Sequence, residues 1–281
     1  MSRQTSQRIA FALLTVAAVI VVVPIILVII YIIIQGIGAI NWEFLTAMPC
    51  HGMREGGILP AIVGTVVLTF GTAIASIPLA IGAAIYLAEY ARDTWLTRLI
   101  RLAIINLAGI PSVVYGLFGL GLFVLFLNLG TSIIAGSLTL GLMTLPVVIS
   151  TAEEAILSVP QSFRVVSISL GGTRWQTIRY QVLPQALPGI LTGIILGLER
   201  AAGETAPILF TVAAFYLPRL PRSPFDQTMA LPYHLYVIST QVPGMPIDVQ
   251  YGTALVLLAL VLSMNVVATL IRSHFRRRRQ W

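Results

Sequence analysis

The sequence predicts an all-α, polytopic membrane protein with six transmembrane helices, and three observations carry that prediction. Of 281 residues, 57% are hydrophobic and only 10% charged, with a mean hydropathy of +0.93. A chain this apolar has more greasy surface than a soluble core can hide. The apolar residues also fall into uncharged runs that reach the ~20 residues a helix needs to cross a bilayer. Finally, the basic residues sort by loop rather than scattering along the chain.

In order, the runs are 10–34, 58–88, 101–127, 132–152, 186–214 and 250–271. The first exceeds the ~7–15 residue core of a secretory signal and is followed by no small-residue cleavage site, so it reads as a retained transmembrane helix. With the first external loop it makes up residues 1–57, ahead of a core over 58–281 with an external loop at 215–249. Six spans put both termini on one side. All 17 basic residues are Arg, and the terminal side carries Arg3, Arg8, Arg92, Arg98, Arg101, Arg164, Arg174, Arg179, Arg272 and the run Arg276 to Arg279. The opposite side holds Arg54, Arg219 and Arg222. The positive-inside rule makes both termini cytoplasmic. The closing HFRRRRQW, directly after a span, reads as a topology lock near anionic lipid headgroups rather than a nucleic-acid patch. Membrane lipid is therefore an expected partner and nucleic acid is not.

The fifth run breaks the rule that charge stays out of the spans. In GIILGLERAAGETAPILF it carries Glu199, Arg200 and Glu204. Counting 1.5 Å per residue from Pro188 puts Arg200 roughly 18 Å along a helix, near the bilayer middle. A charge there costs about 2.5–3.5 kcal/mol, so it faces protein or water. Arg200 and Glu204, four apart, share a face, and on a helical wheel that face also carries Gly189, Gly193 and Gly197, a small-residue stripe for close helix packing. The arrangement fits either a structural ion pair or an anion-contacting Arg200, whose planar fork suits oxyanions. Glu204 would then orient Arg200, weaken capture enough for release, or accept from a protonated oxyanion. Glu199 points elsewhere and has no assigned role.

Chemistry of other kinds is poorly supplied. Cys50 is the single cysteine, and His51, His234 and His274 lie far apart, so no metal set forms and no cofactor is expected. The absence of Lys also removes the Gly-x4-Gly-Lys-Ser/Thr loop, so the chain hydrolyses no ATP itself. An intramembrane enzyme would need a nucleophile or metal set within a span, which none of these residues supplies.

The longest cytoplasmic loop, within 158–190, has the most definite local signals. Ser158 is expected to cap a helix starting near Pro160. That helix stops at Gly171 and Gly172, and Thr173 with Gln176 forms a capping box for a second helix running toward Pro184. A glycine-hinged helix pair outside the membrane is either a compact connector or a docking lever for a cytoplasmic partner. An ATP-independent channel has no need of such a lever.

The stretch SFRVVSISLGGTRWQTIRYQVLPQALPGI resembles the coupling loop of ABC-importer permeases, with Gly171, Trp175, Leu183 and Pro184 on the pattern. Val165, Val166 and Ser167 stand where that family has Glu-Ala-Ala. NLAGIPSVVYGLFGLGLF, RAAGETAPILFT and MALPYHLYVIS resemble segments of the permease subunits of phosphate importers. Ser150 stands at a place where such subunits can carry Arg. The resemblance implies the type I ABC importer permease (MetI-like) fold and translocation of inorganic phosphate, with sulfate or molybdate as alternatives. It implies three partners: a homologous second permease subunit, a cytoplasmic dimer of ATP-binding subunits, and an external phosphate-binding protein. It assigns Arg200 and Glu204 to the substrate pathway and Ser167, Gly171, Gly172, Trp175 and Pro184 to an ATPase-coupling loop over 158–185.

Overall fold

A computed structural model describes residues 3–277, without the side chains of residues 3, 5, 6, 8–10 and 275 onward, so Arg3 and Arg8, read as topology markers, lie outside the described side chains. The terminal arginine run read as a topology lock therefore falls outside the described side chains. Among the described residues the regular structure is helical apart from one short hairpin and an isolated bridge between Ala213 and Thr228. α1 (Arg3–Gly36) leads through a 3-10 turn to α2 (Trp42–Thr46), capped by the Asn41 side chain on Phe44 N at 2.7 Å. β1 (Pro49–Cys50) and β2 (Glu55–Gly56) pair antiparallel with Pro49 opposite Gly56. α3 (Leu59–Ile85) ends in a π-helical turn, Tyr86–Tyr90. α4 (Trp95–Ala108) and α5 (Ser112–Gly119, continued by a π stretch Leu120–Phe126) follow, then α6 (Ile133–Leu157) and α7 (Gln161–Ser169). α8 (Arg174–Thr177) runs through a π turn, Ile178–Val182, into α9 (Leu183–Gly203). α10 (Ala206–Thr211), α11 (Leu231–Thr240) and α12 (Ile247–Arg277) complete the order.

Among the described residues five helices are long and apolar enough to cross a membrane, and counting the bent pair α4–α5 as one span gives six. Two expected spans change shape. The third, read as straight over 101–127, is bent by 103° between Ala108 and Ser112. Pro111 lacks the N–H that would continue the ladder and restricts Ile110 before it. The fifth, read as 186–214, stops at Gly203 and restarts at Ala206.

The bundle centre is α3, α6 and α9, packed through small residues as bilayer helices require. Gly71 of α3 abuts Ser137 of α6, and Gly141 of α6 meets Ala75 and Ser76. The buried hydroxyls on α3 are satisfied within the helix: Thr65, Thr69, Thr72 and Ser76 each donate to the carbonyl four residues back at 2.7–2.8 Å. α1 stands apart, its described side chains almost wholly exposed, and touches α12 where Tyr31 meets Tyr251 edge-on at 5.4 Å. Contact with lipid accounts for such a surface.

The loop expected over 215–249 is not simply a loop. It contains α11, of which Leu231, Pro232, Tyr233, His234, Val237 and Ile238 are buried in the main core beside Leu140, Met143, Ile208 and Val212. Leu231 N donates to Thr65 Oγ1 at 2.8 Å, tying this lid to α3.

Candidate functional site

Arg200 occupies the last turn of α9, where the helix's negative end favours a cation. The helix ends there because Pro207 has no N–H to offer the Gly203 carbonyl. Glu204 consequently leaves the helix in an extended conformation, φ −77° and ψ 136°. The shared helical face inferred from four-residue spacing therefore does not exist as such. The two side chains still meet, Arg200 Nε to Glu204 Oε1 at 3.4 Å, with 39% and 18% of their surfaces exposed. One turn earlier Gly197 lies against Val148 and Thr144, so Arg200 stands level with the middle of α6.

The second broken span meets the first at this point. An added Cβ on Gly116 of α5 would sit 3.0 Å from both Ala206 O and Pro207 Cα. Tyr115 Oη bridges its own break by donating to Leu107 O at 2.9 Å. Broken helices within a membrane survive where neighbours re-satisfy the freed backbone, and they commonly surround a transported solute. The Ile110-Pro111 pair in the third apolar run was the legible signal for this break.

Gly189, Gly193 and Gly197 all face α6, where added Cβ atoms would lie 2.5 Å from Ala155 Cβ, 2.7 Å from Thr151 Cβ and 2.9 Å from Val148 Cγ2. Glu199 lies on another face, and its Oε1 is buried with no hydrogen-bond partner, which nothing in the structure explains. Gln185 Oε1 shares that condition. Among the described residues no group of three or more His, Cys, Asp or Glu side chains is placed to hold a metal.

At the arginine-rich end, Gly171 takes φ +85°, the left-handed conformation a sharp turn needs, whereas Gly172 does not. The Thr173–Gln176 capping box forms in both directions. Ser158 does not cap α7: it ends α6, donating to Ala155 O at 2.8 Å, and Pro160 takes the cap position without a side-chain bond. The second helix, expected to run toward Pro184, runs on past it. The π turn absorbs the missing proline N–H, and the helical rod continues into α9. Ser167 Oγ meets Thr177 Oγ1 at 2.9 Å across the hinge. Val165, Val166, Ile168, Leu170 and Trp175 are exposed, an apolar patch beyond the spans.

Three of the arginines read as topology markers have acidic partners among the described residues. Arg101 pairs with Glu153 at 2.8 Å and Arg164 with Glu89 at 2.7 Å. Outside the spans, the neighbouring Arg98 holds the exposed Asp93 carboxyl below the usual carboxylate range.

Residues 77–281 match the family described as "Binding-protein-dependent transport system inner membrane component". The chain is 34% identical over 283 residues to "Probable ABC transporter permease protein YqgI" of Bacillus subtilis, covering 95% of each chain. It is 36% identical over 226 residues to "Phosphate transport system permease protein PstA 1" of Mycobacterium tuberculosis, covering 80% of this chain and 72% of that one. A solved structure of the MetNI methionine ABC transporter in an inward-facing conformation superposes with a TM-score of 0.60 at 17% identity, over 78% of this chain and 94% of the other.

Proposed function

This chain belongs to the family of inner-membrane components of binding-protein-dependent transport systems, and on that premise we propose that it is the permease subunit of an ATP-driven importer of inorganic phosphate. As a member of that family it is a membrane-embedded translocation component that works with an ATPase and a substrate-binding protein. The observation that carries the phosphate reading is Arg200. It is a guanidinium held at the junction of two broken spans, level with the bundle middle, by one long contact to Glu204. Such a group is free to exchange a weak intramolecular partner for an oxyanion. The matching relative named for phosphate transport supports the same choice of solute.

In this reading the arginine-rich end is cytoplasmic, both termini lie there, and the membrane is the bacterial inner membrane. The element formed by α7, the Gly171 hinge and α8 docks on one of two ATP-binding subunits through its exposed apolar patch. A homologous second permease completes the pathway, and an external phosphate-binding protein delivers the anion at the end carrying α11. The test is uptake of labelled phosphate by the reconstituted complex in competition with sulfate and molybdate. Uptake blocked by unlabelled phosphate alone supports the reading. Uptake equally blocked by sulfate or molybdate assigns the permease to those oxyanions instead.

A further inference from the structure

The end of the second span is held by arginines from three other elements. In the π turn Tyr86–Tyr90 the last carbonyls lack partners further along the helix. Leu87 O accepts from Arg101 Nη2 at 3.0 Å, and Glu89 O accepts from Arg174, whose guanidinium also lies 4.9 Å from the centre of the Tyr90 ring. The Glu89 carboxylate accepts from Arg164 Nε at 3.0 Å and Nη2 at 2.7 Å. Arg164 in turn donates to Val159 O at 2.7 Å and Ile156 O at 2.9 Å, at the end of α6. The Glu89 and Arg164 side chains are 8% and 14% exposed, so the pair is largely covered, with both guanidinium contacts on one carboxylate oxygen, Oε1.

α7, which carries Arg164, contains no fully buried residue, and a cleft of about 810 Å³ bordered by Glu89, Val165, Ile168 and Arg174 runs beside it. An element so lightly packed is located by few anchors: Phe163, which packs against the apolar cluster at this end of the bundle, Arg164, and the Ser167–Thr177 contact. We propose that the Arg164–Glu89 pair is the link through which displacement of α7 is passed into α3. Apolar contacts would let α7 slide over its support. A largely covered ion pair resists separation, because either partner left alone is a charge with little access to water. α3 then carries the movement to α6, which its small residues contact directly, and α6 bears the glycine stripe of α9. Glu89 and Arg164 are positioning residues, and the inference rests on the reading of α7 and α8 as the ATPase dock.

The experiment uses the complete complex in liposomes with Glu89→Gln, Arg164→Gln and the double variant. Two quantities are read: ATPase subunit retained by the permease, and hydrolysis stimulated by the loaded binding protein relative to basal hydrolysis. Each single variant is expected to keep the ATPase while lowering stimulation about tenfold, within the usual range of coupling free energies. The double variant is expected to lose about the same, not the product of the two losses. Parent-level stimulation in Glu89→Gln, or losses that multiply in the double variant, overturns the link. Should a Gln variant fail to assemble, Glu89→Asp and Arg164→Lys are read instead, and undiminished stimulation in both overturns it equally. A parent complex that does not retain the ATPase refutes the docking reading itself, independently of the pair.

Discussion

Arg200→Ala separates a transport role from a packing role because the structure makes the two costs unequal. The pair with Glu204 is a single contact of 3.4 Å between side chains 39% and 18% exposed. Partly solvated pairs of that kind contribute about 0.2–1 kcal/mol. Removing the guanidinium therefore lowers the thermal midpoint by at most about 4 °C for a chain of this size. A guanidinium that holds the passing anion makes charge-assisted hydrogen bonds worth about 1.5–3 kcal/mol, and their loss lowers uptake by roughly 10- to 150-fold. Arg200→Lys keeps the charge but loses the bidentate fork, and an intermediate loss near tenfold is expected. The assay is phosphate uptake by reconstituted complexes, normalised to assembled complex, with the thermal midpoint of the same preparations. Normalised uptake at the parent level refutes the assignment, as does a fall in assembly that matches the fall in uptake.

Four other outcomes are expected. Burial alone pushes the imidazole of His234, on α11 outside the spans, down from 6.5 to about 4. The unfolded chain therefore takes up the proton first, and stability is full above pH 6.5 and lost as pH falls toward 4. The total is about 3 kcal/mol, and His234→Phe should flatten this part of the pH dependence of thermal unfolding. An unchanged slope would sink the burial argument. Gly171→Val forces a branched residue to φ +85°, at a cost of about 1–2 kcal/mol, whereas Gly171→Asn tolerates it. Transport-stimulated ATP hydrolysis should fall more for Val, and equal effects would dismiss the conformational account. Gly193→Val drives a side chain into Thr151 and should lower heat stability by about 1–3 kcal/mol, while Gly203→Ala, with open space around it, should not. Equal midpoints would mean that the stripe does not set α9–α6 packing. Exposed Cys50 should react with a membrane-impermeant thiol reagent in intact cells, and Ser273→Cys, tested on a Cys50→Ser background, should not. The reverse labelling pattern would invert the orientation.

Span number, glycine stripe and capping box were legible in the sequence because each depends on local spacing. About 20 apolar residues must form a helix to satisfy their backbone in a bilayer, whatever their neighbours do. Thr173 and Gln176 need only each other, and Gly189, Gly193 and Gly197 share a face by helical period alone. The site was legible in composition but not in shape. Arg200 and Glu204 stood out as charges in an apolar run, yet counting along an unbroken helix gave them a common face that the break at Glu204 removes. The prolines behind both breaks were visible. Whether a proline bends a span, breaks it or is absorbed depends on what re-satisfies the freed backbone, as the π turn does at Pro184 and the Tyr115 hydroxyl does for Leu107 O. Only the tertiary structure brought Glu89 to Arg164 across 75 positions of chain. By sequence Arg164 was one of many arginines at the same end, sorted there by the membrane. Its hydrogen bonds to Ile156 O and Val159 O at the end of α6 hold its guanidinium where the Glu89 carboxylate reaches it, a placement set by how α3, α6 and α7 pack and not by local spacing.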